Sequence, residues 1–329
     1  MKKYLALLLA LVMVFALCAC GSKNDAPAAP AGSEDAAAPA GGELTFATGG
    51  ESGTYYAFGT VLAQHVSDKT DTKVTAIVGN GSQANVEDLA AGAVQLAFCQ
   101  SDVASYAYNG TNLFEESGAV TDFSVVAALY MEQVQIVTLD PSIKSVADLK
   151  GKNVSIGAAG SGVYFNALDI LGAYDLTEDD ISPVYQSFAD SADSLKDGKI
   201  DAAFIVAGAP TTAITDLATG GKQVYLVSLD DEHIDKLMAS SPFYSKAVIA
   251  ADTYGLPEDV NTVAVGALVL ARNDVADADV YNFVSSIFDN LEKVTAAHAK
   301  GAELSVEFAS SVEGIPYHPG AAQYFAEQG

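Results

Sequence analysis

Ala47-Thr-Gly-Gly-Glu-Ser-Gly-Thr-Tyr-Tyr-Ala-Phe-Gly59 is the stretch whose reading decides the fold. The apolar run Leu44-Thr-Phe-Ala47 ends where it begins, and Phe58, Val61, Leu62, His65 and Val66 recur after it at helical spacing. It is a loop between strand and helix, packed with Gly, Ser and Thr. Such a loop exposes backbone N–H groups beside hydroxyls and can hold a small anion without a charged side chain. The spacing predicts a helix over 55–68, with Thr54 as its N-cap.

The same alternation continues outward from this stretch. A strand over 73–78 runs into Gly79-Asn-Gly-Ser82, a short helix covers 85–91, and an apolar strand covers 94–99. Gln100-Ser-Asp102 then opens a helix over 103–108. This βαβαβα rhythm predicts a parallel sheet with flanking helices. Apolar runs at 125–129 and 134–139 follow as two strands. The rhythm then restarts with a capping box at Ser145-Val-Ala-Asp148, a strand over 153–157 and a second glycine-rich loop, Ala158-Ala-Gly-Ser-Gly162. Helices are predicted over 163–173, 187–197 and 211–218, with strands over 184–185, 202–206 and 223–227. A long apolar strand over 263–271, one helix over 279–300 and a short terminal helix complete the chain. The pattern implies two α/β lobes with a cleft between them: lobe one over 43–140 and 259–329, lobe two over 141–258. The runs near Ile136 and Val265 would cross between the lobes as a hinge.

The N-terminus sets the compartment. Lys2 and Lys3 precede an apolar segment too short to span a bilayer, and Leu17-Cys-Ala-Cys-Gly-Ser22 resembles a bacterial lipobox. Residues 1–19 read as a lipoprotein signal peptide, with Cys20 as the acylated anchor to the outer face of the bacterial cytoplasmic membrane. Residues 20–42, rich in Ala, Pro, Gly and Ser, read as a flexible linker. A formal net charge of −26 argues against a nucleic-acid partner. Cys99, within an apolar strand, reads as a buried small hydrophobe. Arg272 is the only arginine, so at most one guanidinium clamp could hold an anion.

In open α/β sheets ligands bind beyond the carboxyl ends of the strands. The residues expected to contact a ligand there are Thr48, Gly50, Ser52, Gly53, Thr54 and Tyr55 in the first loop, and Ser82 in the second. Gln100, Ser101 and Asp102 follow in lobe one. Gly160, Ser161, Gly162, Val163 and Gly208 would form the opposing jaw. Catalysis is not indicated. Neither Gly50-Glu-Ser-Gly53 nor Gly160-Ser-Gly162 completes a nucleophile elbow, and His65, His233, His298 and His318 include no H-E-x-x-H pair. No metal ligand set or cofactor is expected. Gly79-Asn-Gly-Ser-Gln-Ala84 matches a dinucleotide fingerprint, but the helix after it is too short for that unit.

Across 43–329 the chain resembles the TAXI-type solute receptors of tripartite ATP-independent periplasmic (TRAP) transporters. The resemblance is carried by Thr48-Gly-Gly with Ser52-Gly-Thr-Tyr-Tyr56, by Phe98-Cys-Gln-Ser-Asp-Val103, and by Gly160-Ser-Gly162. Asp197-Gly-Lys-Ile-Asp-Ala202, Val206-Ala-Gly208, Asn261-Thr-Val-Ala-Val265 and His318-Pro-Gly320 extend it. It implies a type II periplasmic-binding-protein fold that closes on a glutamate-like amino acid or other small carboxylate. It also implies delivery to TRAP membrane subunits driven by an ion gradient. Val163 and Ala209 depart from the family pattern, and Glu51 places a negative charge in the first loop, either turned to solvent or selecting an amino group. The alternative is an exported enzyme or adhesin on the same fold.

Overall fold

The computed structural model describes residues 41–329. The expected signal peptide over 1–19, the expected acylation site at Cys20 and the expected linker up to residue 40 lie outside the described residues. The chain runs β1 (Glu43–Ala47), α1 (Thr54–Lys69), β2 (Lys73–Ile77), α2 (Ser82–Ala90), β3 (Leu96–Gln100), α3 (Ser101–Asn109) and β4 (Phe123–Thr138). It continues through β5 (Asn153–Ser155), α4 (Val163–Ala173), β6 (Ser182–Val184), α5 (Phe188–Lys196), β7 (Ala202–Ala207), α6 (Thr212–Thr219) and β8 (Tyr225–Leu226). After α7 (Asp231–Ser240), β9 (Ser245–Ile249) and β10 (Val260–Arg272) come α8 (Asp277–Phe288), α9 (Leu291–Ala297), α10 (Val306–Ala309) and α11 (Pro319–Gln328).

The sheet order is β2-β1-β3-β10-β4-β7-β5-β6. Its two ends are parallel triplets, β2-β1-β3 and β7-β5-β6, each built by βαβ crossovers. Between them β10 and β4 run antiparallel to each other and to the triplets they join. β10 pairs with β3 through Ala267–Ala271 and with β9 through Val260–Ala264. β4 pairs with β7 through Gln133–Thr138, while its first half lies on β10. These two long strands pass through both halves of the sheet. The result is two α/β lobes of a type II periplasmic-binding-protein fold.

Each lobe buries apolar side chains on both faces of its part of the sheet. In the first, Phe98 stacks between Phe46 at 4.9 Å and Tyr55 at 4.4 Å, which fixes α1 on the sheet. Val86, Leu89 and Val103 from α2 and α3 fill the other face with Cys99, which is fully buried. In the second lobe, Val163, Ile170 and Leu171 of α4 pack with Phe204 and Val206. Ile214 and Leu217 of α6 cover the opposite face with Ile205. Full burial of one such side chain contributes about 1.5–3 kcal/mol.

Several boundaries depart from the sequence reading. The runs at 125–129 and 134–139 are one strand of 16 residues, because Glu132 and Gln133 interrupt the hydropathy but not the backbone. The helix over 279–300 breaks into α8 and α9: Asn290, at φ −132° and ψ 32°, leaves helical geometry and its side chain bonds the Ser286 carbonyl, while Asp289 before it accepts from Tyr324. The N-cap of α1 is Gly53, not Thr54, whose hydroxyl is drawn away to the Gly208 carbonyl at 2.8 Å. Gly41 and Gly42 both donate backbone N–H groups to Asp279 Oδ1 at 3.0 Å.

Candidate functional site

A cavity of about 560 Å³ lies between the lobes. It sits beyond the carboxyl ends of β1, β2, β3 and β7, where chain direction and helix starts converge. The first residues of α1, α2, α4, α5 and α6 all line it: Thr54, Ser82, Val163, Phe188 and Thr212. The first N–H groups of a helix have no partner within the helix and carry its positive dipole end. At α1, α2 and α4 the N-caps are Gly53, Gly81 and Gly162, and no side chain caps these helices. α5 differs, since Ser187 accepts from the Asp190 N–H at 3.2 Å. Three glycine-capped helix ends thus face one cavity from both lobes, and α6, with Thr211 at its N-cap, also lacks a side-chain cap.

Of the residues expected from sequence, Gly50, Ser52, Gly53, Thr54 and Tyr55 line the cavity from the first lobe, with Ser82 and Gln100. Ser161, Gly162 and Val163 line it from the second. Five others are not among the lining residues. Thr48 is fully buried and donates to the Ile77 carbonyl at 2.7 Å, closing the seam between β1 and β2. Ser101 Oγ accepts from the Gly266 N–H. Asp102 is fully buried and accepts from Asn166 at 2.9 Å. The Gly160 carbonyl accepts from the Ala84 N–H, and the Gly208 carbonyl accepts from Thr54. Arg272 is outside the cavity lining, paired with Asp274 at the end of β10. Glu51 lines the rim and is exposed.

Glycine is required at two of these positions by close approach. A Cβ on Gly162 would lie 1.5 Å from Gln100 Oε1. Gly81 has φ +104°, and its Cβ would come within 3.1 Å of Ser161 Cα. Both contacts run between lobes. Further direct bonds close the cleft: the Ala213 N–H donates to the Ser52 carbonyl at 3.2 Å, and Gln100 Nε2 donates to Asn166 Oδ1 at 2.9 Å.

The residue missed in the sequence is Glu132. It occupies the middle of β4, is 2 % exposed, and lines the cavity. Tyr55 Oη donates to its Oε2 at 2.9 Å. Burial pushes the Glu132 carboxyl well above the ordinary range, with the Asp102 carboxyl adding to the rise against the pull of Tyr55 and Lys300. Burial likewise pushes Asp102 up to about 7, against the hydrogen bonds from the Val103 N–H and Asn166. Its only sequence signal was a polar pair, Glu132-Gln133, inside an otherwise apolar run. Ser187, Phe188 and Ala189 at the start of α5 were also missed as lining residues.

No lysine, arginine or histidine is among the described residues lining the cavity. His65 instead bonds the Ser286 carbonyl at 2.9 Å, on the far side of α1. Among the described residues there is no group of three or more His, Cys, Asp and Glu able to hold a metal ion. The hydrogen-bond donors that the described lining offers include helix-start N–H groups and hydroxyls.

A model described as the NMT1-like family matches residues 46–329. Among solved structures, a protein from Bordetella bronchiseptica RB50 aligns with 16% identity and a TM-score of 0.51, over 86% of this chain and 88% of that one. The periplasmic aliphatic sulphonate binding protein SsuA from Escherichia coli aligns with 19% identity and a TM-score of 0.46, over 86% and 82%. The alkanesulfonate-binding protein SsuA from Xanthomonas axonopodis pv. citri, bound to MOPS, aligns with 19% identity and a TM-score of 0.48, over 86% and 83%. The likeness to the Bordetella structure shows a shared fold.

Proposed function

The chain belongs to the NMT1-like family, and we propose that it is an extracytoplasmic receptor capturing a small carboxylate or amino acid, glutamate-like, by closure of two lobes. The observation that carries this reading is the set of three glycine-capped helix N-termini around one interlobe cavity without a basic lining side chain. Backbone N–H groups and helix dipoles favour a carboxylate there. Cavity-lining Ser52, Thr54, Ser82 and Ser161 add hydroxyls. Thr48, Ser101, Asp102, Gly160 and Gly208 hold the loops in position rather than touch the ligand.

Closure follows from contributions of both lobes to one ligand, so binding shifts the population toward the closed form. We take the lobes as 43–140 with 259–329, and 141–258. Delivery to TRAP-type membrane subunits driven by an ion gradient, and anchoring through Cys20, are part of the proposal and rest on the motifs quoted above. A thermal-shift screen of the purified protein against small carboxylates and amino acids tests the reading. A ligand of the right class raises the melting temperature by about 5 °C or more at roughly a hundredfold excess over Kd. A flat response across the panel contradicts it.

A further inference from the structure

We infer that Glu132 and the side-chain oxygen of Gln100 form a subsite for a cationic nitrogen, so that the ligand carries an ammonium beside its carboxylate. This rests on the receptor reading above and narrows it. Glu132 and Gln100 both line the cavity, and each is 2 % exposed. Gln100 Nε2 donates to Asn166 Oδ1 at 2.9 Å, and Gln100 Oε1 has no hydrogen-bond partner.

The amide orientation of Gln100 is fixed by its neighbours. Asn166 Nδ2 donates to Asp102 Oδ2 at 2.9 Å and to Tyr244 Oη at 2.8 Å. Asn166 therefore presents its oxygen to Gln100, and only the Gln100 amino group can meet it. Gln100 Oε1 is thereby left as a buried acceptor. Tyr55 spends its only proton on Glu132 Oε2. This part of the cavity wall sets a buried carboxyl beside an unpartnered amide oxygen, in contrast to the N–H groups of the helix ends. An ammonium supplies three donors and the counter-charge that a buried carboxylate requires. A ligand carboxylate placed here would meet the lone pairs of Gln100.

The inference separates two roles of Glu132 by proton count. The groups acting on its carboxyl are Tyr55 from α1, Cys99 and Gln100 from β3, Asp102 from α3, Tyr130 from β4, and Lys300 from the segment after α9. Lys300 is itself 4 % exposed and engaged by Glu303 at 2.5 Å. Burial raises the Glu132 carboxyl well above its ordinary range, which favours its neutral form while the site is empty. An arriving ammonium takes the ionised form, and the proton leaves to solvent. A carboxylate accepting a hydrogen bond from neutral Glu132 would release none.

The test uses the purified full chain and paired probes: the standard amino acids and their nitrogen-free counterparts, such as L-glutamate with glutarate. Thermal shift ranks the pairs, and calorimetry follows on the strongest pair in phosphate and in Tris at pH 6 and pH 8. The amino compound is expected to bind about 100-fold or more tightly than its nitrogen-free partner. It should release up to one proton, with affinity rising by up to about tenfold per pH unit. The ammonium of a free amino acid, held beside its own carboxylate, stays protonated across this range. In Glu132→Gln the preference should fall below about tenfold and the buffer dependence should vanish. The proton count in the unaltered protein stands even if that variant fails to fold. Equal or tighter binding of the nitrogen-free compound, or no proton release, overturns the inference and leaves the receptor reading intact. Stabilisation by neither set overturns both.

Discussion

The Tyr55 hydroxyl donates to Glu132 Oε2 at 2.9 Å, joining the first helix to the middle of the longest strand at the cavity wall. Both groups are buried, and Tyr55 stacks on Phe98 within the first lobe's core. The binding surface and the hydrophobic core are therefore one continuous structure. Tyr55→Phe keeps the stack and removes the hydrogen bond. It should lower the unfolding free energy by about 1–3 kcal/mol, measured by urea denaturation, because a buried carboxyl loses its hydroxyl partner.

Gly162→Ala places a Cβ that would lie 1.5 Å from Gln100 Oε1. Either Gln100 or the start of α4 must move, and both belong to the cavity wall. Ligand affinity should fall about tenfold or more by calorimetry. Gly172→Ala on the same helix is the control: it meets nothing within 4 Å and is exposed. That variant should bind normally and gain about 0.5–1 kcal/mol from helix propensity.

Arg272→Gln should leave ligand affinity within about twofold of the unaltered protein. The guanidinium pairs with Asp274 and the Gly92 carbonyl outside the cavity lining. An exposed pair of this kind contributes about 0–1 kcal/mol to stability. Loss of binding in this variant would restore an arginine clamp and contradict the backbone-dipole account.

Asp102 gives the fold a pH dependence of definite sign. Burial raises its carboxyl from 3.8 to about 7, so the folded chain holds a proton that the unfolded chain has already released between these values. Stability from this group is present at low pH and is lost as pH rises toward about 7. Between pH 5 and pH 7 the unaltered protein should lose on the order of 2 kcal/mol relative to Asp102→Asn. Glu132, also raised by burial, acts in the same direction. Denaturant unfolding of the two proteins at both pH values measures the difference.

Much of the fold was legible because it is written in local alternation. The helix over 163–173 was read to its ends, since Gly162 before it and Tyr174 after it bound an apolar stripe. The glycine-rich loops were legible for the same reason: a strand ends, glycines follow, and a helical period begins. β4 was not legible as one strand because Glu132 and Gln133 look like a turn when burial is unknown. Only the partner strands β10 and β7 show that the backbone continues. α7 and β9 escaped because α7 buries only Ile234 and Leu237, and β9 is an edge strand with one buried residue. The cavity wall around Glu132 depends on contacts between residues 77 positions apart, which no local pattern encodes.

The most direct test of the central claim is a crystal structure with the compound that gives the largest thermal stabilisation. The account predicts that compound in the interlobe cavity, with its carboxylate on the N–H groups at the starts of α1, α2 and α4. A ligand bound elsewhere, or one whose carboxylate is held by a lysine or by Arg272, would contradict it.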